Sequence, residues 1–386
     1  MPNINDLQLA KDLIRFPSIT PLDAGIIKFL DKKLKSIGFK TKILEFKEKN
    51  SKSVKNIYAR LGKSSPNFCF AGHVDVVPPG NINNWSSNPF RPVVKNGNLI
   101  GRGASDMKSS IASFVSATNN FINNHNNFKG SISLLITGDE EGLAVNGTKK
   151  VVDYLKKRKE KIDFCLVGEP TNPKKIGEMI KIGRRGSLTG YLKIFGKMGH
   201  VAYSHRAINP STCIIDILKG LKQLKLDGGS KNFQPSNLEV TNIIVDNSAD
   251  NVIPGEASAT FNVRFNDKHS SSSLKKKLNN YIKKICKKYK CNFKINFVIS
   301  GESFITKPNK VTYMIRNIIK KNTGIIPKLS TSGGTSDARF IRKISPCLEF
   351  GLVGASMHQI DENVSLKDLK VLTKIHKEIL EKYFLL

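Results

Sequence analysis

Four runs of this chain are apolar along almost their whole length and not merely at every second residue: 67–71 (NFCFA), 131–137 (SISLLIT), 164–167 (FCLV) and 347–350 (CLEF). An alternating strand buries one face, whereas a continuously apolar one is covered on both, as happens when helices cross over a parallel sheet. Segments with helical spacing separate these runs. Residues 5–16 carry Leu7, Leu9, Ala10, Leu13 and Ile14 on one stripe, closed by Pro17. Residues 24–37 repeat the pattern with Ile26, Ile27, Leu30, Leu34 and Ile37, and Gly38 ends it. Further helices are expected over 105–124 and 147–161, and further strands over 41–46, 56–61 and 98–102. The apolar run at 67 is expected to continue as a strand to 77. Strands alternating with helices predict an α/β fold with a mostly parallel sheet.

The pattern changes near Ile180. Runs at 187–195, 238–245 and 257–264 alternate as half-exposed strands do, and amphipathic helices are expected at 210–224 and 271–290. Residues 181–297 therefore read as an inserted α+β domain with one wet sheet face, leaving 1–180 and 298–386 as the first domain. The first pattern resumes with a helix at 310–322, a Gly/Ser/Thr-rich loop at 330–336 and a terminal helix at 366–384.

With 386 residues the chain is long enough for two cores. Its six cysteines are scattered and form no CxxC pair, which excludes a disulfide framework and a zinc finger. Residues 1–20 lack the basic start and apolar middle of a signal peptide, and no apolar run approaches the roughly 18 residues needed to span a bilayer. A reducing cytoplasm is the expected compartment, with no membrane partner. The formal charge of +32 comes without a nucleic-acid motif or an array of stacking aromatics. Its lysines read as solvated faces that exert a general pull on anionic small molecules, and no nucleic-acid partner is expected.

Residue types that bind metals collect at the ends of the strands. GHVDVVP follows the first apolar run with His73 and Asp75, a histidine beside a carboxylate able to orient it. GRGASDMK places Asp106 before a helix, where an isolated Asp would serve as a cap. TGDEEG supplies Asp139, Glu140 and Glu141, three mutually repelling acids that call for a cation or open solvent. GEP supplies Glu169, and His358 follows the last run. Ligands of an open α/β sheet gather at the carboxyl ends of its strands. Two imidazoles and several carboxylates suit zinc, cobalt or manganese. The count fits a pair of ions: His73 and Glu169 on one, Glu141 and His358 on the other, Asp106 bridging, and Glu140 left as a general base.

These stretches, in this order, resemble the co-catalytic di-zinc aminoacylase and carboxypeptidase-type metallopeptidases along essentially the whole chain. The resemblance implies a zinc-hydrolase catalytic domain, two zinc ions per subunit with cobalt or manganese as substitutes, and an inserted dimerisation (lid) domain. It gives Asp75 the orienting role, Glu140 the activation of water, and His200 a place in the partner subunit's site as oxyanion donor. Read alone, His200 is a surface histidine after Gly199. The narrower stretches IGRRGSLTG (182–190), GHVAYSH (199–205), DNVIPGEA (250–257), SGGTSDARFI (332–341) and EFGLVGASMHQIDE (349–362) resemble the branch that removes succinate from N-succinyl-LL-2,6-diaminopimelate. A deacylase of acetylornithine or another N-acyl amino acid, or a dipeptidase, is the alternative on the same scaffold.

A substrate with several carboxylates calls for guanidinium and hydroxyl donors. By motif match these are Arg184, Ser187, Tyr203, Asn251, Arg264, Gly334 and Thr335. Arg185 fits a solvated strand residue equally well. The loop 332–336 either offers N–H groups to a carboxylate or is simply flexible. Two positions depart from the family pattern. Ser204 stands where proline is frequent, which bears on the loop carrying His200. Gly354 stands where an asparagine often contacts substrate.

Overall fold

The computed structural model describes residues 3–385 and divides into two compact units. The first comprises residues 1–182, 306–330 and 336–386, and the second residues 183–305 and 331–335.

The first unit is built on an eight-stranded sheet in the order Lys40–Phe46, Val54–Gly62, Ser131–Thr137, Asn67–His73, Phe164–Val167, Cys347–Glu349, Met179–Lys181, Lys328–Ser330. Its four middle strands run parallel, and antiparallel pairs flank them. Every residue of Asn67–His73, Ser131–Thr137 and Phe164–Val167 is buried, as continuous apolar runs require. The strand expected over 67–77 stops at His73. Beyond it Val74 donates to the Thr137 carbonyl and Val76 to that of Ser18, in an isolated parallel bridge with Ile19, so Asp75 lies outside the sheet's strands.

Helix Ser109–Asn124 packs against Asp6–Ile14 and Leu366–Phe384. Its Phe114 ring stacks 4.4 Å from Phe70 of the central strand and meets His376 edge-on at 5.5 Å. Burial holds that imidazole far below its usual range, at about 3, so it is a neutral core residue. Its Nδ1 pairs with the Ser113 hydroxyl at 2.9 Å.

The second unit is an antiparallel sheet in the order Asn237–Ile244, Glu256–Phe265, Gly186–Phe195, Asn292–Gly301, lined by helices Pro210–Gln223 and Ser271–Lys288. Leu188, Leu192, Ile194, Phe261, Val263 and Phe265 pack inward with Ile214, Ile217, Leu278 and Ile282 of the helices. Tyr191 on the opposite face is exposed, which is the alternation of a half-wet sheet. The expected boundary at 297 is corrected, because it falls inside the strand Asn292–Gly301 that pairs along the length of Gly186–Phe195. The loop 331–335 also belongs with this unit. Among the described residues no helix is long and apolar enough to cross a membrane.

Phe114→Ala should destabilise the first unit by about 3–5 kcal/mol. Urea unfolding followed through Trp85, the chain's single tryptophan, reads this directly; a loss under about 1 kcal/mol would mean that the aromatic stack is not the centre of that core.

Candidate metal centre

Five strand ends of the first unit place their side chains on one another. His73 is the last residue of its strand and is almost fully buried. Its Nδ1 is paired with the main-chain carbonyl of Asp75 at 2.9 Å, which leaves Nε2 free for the centre. Nε2 lies 3.1 Å from Asp106 Oδ1 and 3.9 Å from Glu169 Oε1. The other Asp106 oxygen lies 3.3 Å from His358 Nε2, and that nitrogen is 2.9 Å from Glu141 Oε1. Asp106 thus turns one carboxylate oxygen to each imidazole.

Among the described residues two groups have ligand atoms within 4.8 Å of one another: His73, Glu140 and Glu169, and His73, Asp106 and Glu141. Donor atoms around a tetrahedral zinc with bonds of 2.0–2.1 Å stand about 3.3 Å apart. The pairs observed here, from 2.9 to 3.9 Å, bracket that separation.

The turn carrying Asp106 is local sequence chemistry. Gly103 has φ +83°, and a Cβ there would meet Val76 at 2.7 Å, so only glycine fits. The wide helical turn Ala104–Lys108 then leads into Ser109–Asn124. His358 also sits at positive φ, 64°, on the turn after Cys347–Glu349.

The three consecutive acids have separate fates. Asp139 is turned away and accepts the amides of Ala144, Val145 and Asn146. Glu141 faces His358. Glu140 faces His73 and Glu169, and its amide and that of Glu141 donate to the Asp75 carboxylate at 3.0–3.2 Å. Asp75 therefore touches the imidazole chiefly through its carbonyl, its nearer carboxylate oxygen being 3.7 Å from Nδ1. Its carboxylate fixes the backbone of the two following acids instead. The strand's early end at His73 is what frees it to do so.

Protons show how strongly this cage wants cations. Burial works against a charged His73, but the Asp106 hydrogen bond and the charges of Glu169, Asp106 and Asp75 outweigh it and hold that imidazole well above its ordinary range. Hydrogen bonds from Asp106 and Glu141 raise His358 to about 10. Burial, then the charge of Glu169, pushes Glu140 well above the usual carboxylate range. Burial likewise lifts Asp75 to about 6. The donor set, imidazole nitrogens and carboxylate oxygens, fits metal ions.

The remaining predicted residues lie in the second unit. His200 ends the short strand Gly199–His200, paired with Val252–Ile253 beside Asn251, and Tyr203 has its ring 5.9 Å away. His200 Nδ1 accepts the Ala202 amide at 3.1 Å, so the neutral ring carries its proton on Nε2 and is a donor there. A second set is partly buried, with Arg184 and Ser187 buried, Arg264 half-buried and Gly334 exposed. Ser187 lies opposite Arg264 on neighbouring strands, and Arg184 reaches the Ser332 carbonyl at 3.4 Å in the loop that also holds Gly334 and Thr335. One Arg264 nitrogen is buried without a hydrogen-bond partner. Arg185 instead donates to Pro235 O and Asn237 Oδ1. The residues that sequence reasoning left without a role are Arg102 and Glu362, which both fall inside quoted stretches.

The sequence model of the family described as Peptidase family M20/M25/M40 matches residues 69–382. A succinyl-diaminopimelate desuccinylase of Pelagibacter ubique (strain HTCC1062) is 68% identical over 384 residues, 100% of each chain. Another, from Parvibaculum lavamentivorans, is 48% identical over 98% of this chain and 95% of its own. Among solved structures, an M20 family metallo-carboxypeptidase from Sulfolobus solfataricus superposes with TM-score 0.79 at 19% identity, covering 99% of this chain and 100% of that one. A dinuclear metal binding peptidase of the M20 family from Bacillus subtilis gives TM-score 0.71 at 15% identity, covering 98% and 97%.

Imidazoles protonated at neutral pH must lose those protons to take a metal. Zinc titrated into metal-free protein near pH 7 should therefore release about two protons per chain, and bind more tightly as pH rises. Calorimetry in buffers of different ionisation enthalpy counts them, and zero release would contradict the arrangement.

Proposed function

Because the chain belongs to peptidase family M20/M25/M40, we propose that His73, Asp106, Glu141, Glu169 and His358 hold two zinc ions, replaceable by cobalt or manganese. His73 and Glu169 would serve one ion, Glu141 and His358 the other, with Asp106 shared. The observation that carries this reading is Asp106 itself, one oxygen toward each imidazole. The enzyme is a hydrolase that removes succinate from N-succinyl-LL-2,6-diaminopimelate to give LL-2,6-diaminopimelate, a precursor of lysine and peptidoglycan.

Bound in this cage, the ions supply the Lewis acidity that makes water nucleophilic at neutral pH. Glu140 takes the water's proton as the amide carbonyl is attacked and returns it to the departing amine nitrogen. Its raised pKa fits both halves of that task, since a carboxyl that is too acidic would not give the proton back. The Asp75 carboxylate holds the Glu140 and Glu141 amides, so base and ligand keep their spacing. The Nε2–H of His200, reaching the site of the partner subunit, donates to the oxyanion. Arg184, Arg264, Ser187, Tyr203, Asn251, Gly334 and Thr335 receive the carboxylates of the substrate.

A homodimer is supported by the strand Asn237–Ile244, which forms one edge of its sheet and exposes Ile243 and Ile244. A reducing cytoplasm suits six cysteines that are all unpaired and buried.

The substrate is tested by a panel. Succinylated diaminopimelate should be hydrolysed faster than N-acetylornithine, and the reverse order would overturn the assignment. Glu140→Ala should abolish turnover with metal content near two per chain, whereas loss of metal would mean that base and ligand are exchanged. His200→Ala should also be inactive, yet mixing and reassociating the two variants should restore about a quarter of wild-type activity, since half of randomly formed dimers carry one intact site of two. No recovery from a mixture shown to exchange subunits would remove His200 from the partner's site.

A further inference from the structure

We propose that Arg102 and Glu362 are a positioning pair that sets the places of Asp106 and His358 before any metal arrives. The inference rests on the metal-holding role given to those two residues above. Both members are buried, with 2% and 0% of their surface exposed. Glu362 spends both oxygens on the turn that carries Asp106. Oε1 accepts the amides of Ser105 at 2.8 Å and Asp106 at 3.0 Å; Oε2 accepts the Gly103 amide at 3.1 Å and Arg102 Nη1 at 2.7 Å.

Arg102 carries the connection outward. Nη1 also donates to the Gln359 carbonyl at 3.2 Å, while Nη2 reaches the carbonyls of Pro78 at 3.3 Å and His358 at 3.5 Å. The Trp85 ring covers the guanidinium at 5.1 Å, and its Nε1–H donates to the Pro79 carbonyl. One ion pair therefore ties the main chain of three segments that are far apart in sequence: the stretch after His73 and Asp75, the Asp106 turn and the His358 turn.

Packing alone does not require this. A buried ion pair returns little stability for the desolvation it costs, and apolar residues of similar volume often serve as well. Apolar residues cannot, however, accept amides, and the direction of the Asp106 and Ser105 amides is what aims the Asp106 side chain. Neither member touches a proposed ligand side chain through its own charged group, so the pair acts through the backbone.

The test uses Glu362→Gln, which keeps one acceptor oxygen and loses the charge, and Arg102→Lys, which keeps the charge and loses the fork. Zinc affinity of the full chain is measured by competition with a chelator. Each variant should bind zinc about 10–100-fold more weakly than wild type. Phe114→Ala, which loosens the same unit without touching the pair, should bind zinc as wild type does. Unchanged affinity in both pair variants, or an equal fall in Phe114→Ala, overturns the proposal. Failure of the wild-type chain to bind zinc would instead sink the metal reading itself. Should the variants not fold, the wild-type chain still decides: Trp85 emission should have the same maximum with zinc bound and with zinc removed, because the pair is complete without metal. A shift on zinc removal would show that the metal, and not the pair, sets this geometry.

Discussion

Four carboxylates, Asp106, Glu140, Glu141 and Glu169, converge on two imidazoles at one edge of a buried sheet. Like charges this close, in surroundings that solvate them poorly, cannot all stay ionised without positive charge among them. Without metal that charge is protonic. The imidazoles hold protons far above their ordinary range, and Glu140 is driven toward its neutral form. The rest of the first unit can be understood as the framework that keeps these groups together against their repulsion. A parallel sheet suits the purpose because it delivers several strand ends to one edge.

What opposes the repulsion locally is a second set of acids that bind backbone. Asp75 takes the amides of Glu140 and Glu141. Asp139 takes those of Ala144, Val145 and Asn146. Glu362 takes those of Gly103, Ser105 and Asp106. The Asp106 turn and the loop of Glu140 and Glu141 are thus held by carboxylates that do not face the centre. Charge-assisted bonds of this kind are stronger than neutral ones.

The difference between these two sets explains what the sequence could and could not reveal. Glu140, Glu141 and Glu169 follow fully apolar runs, and Asp106 follows a glycine-rich turn before a helix, so local sequence marks each of them. The holding acids have no such signature, since an amide acceptor only needs to be near backbone that the fold brings to it. Asp75 shows the limit most clearly: the expected strand continued through it, so its carboxylate was aimed at His73, whereas the strand's end at His73 aims it at the next loop. The strand Asn292–Gly301 was hidden for another reason. As an edge strand it alternates with lysines and asparagines and buries few residues, so its period carried little apolar contrast. The loop 331–335 gives no compositional hint of which unit it joins.

The two candidate clusters are of opposite charge, and they sit on different units. The first unit collects carboxylates; the second collects Arg184 and Arg264 beside hydroxyl and amide donors. A guanidinium among Asp106, Glu141 and Glu169 would form a fork-to-fork ion pair with them and take up the lone pairs a metal needs. Arginine does not give up its proton near neutral pH, so a metal could not displace it as it would displace the protons of His73 and His358. Arg184 and Arg264 lie on the second unit, and the buried Arg102 of the first is paired with Glu362, so no arginine side chain forms an ion pair with Asp106 or Glu141 among the described residues. On the proposed reading, partial burial would strengthen an ion pair between a substrate carboxylate and Arg264, one nitrogen of which is buried without a hydrogen-bond partner. Of the 63 lysines and arginines that give the chain its charge of +32, the proposed function assigns recognition to two, Arg184 and Arg264, and leaves the exposed lysines no more than a general attraction.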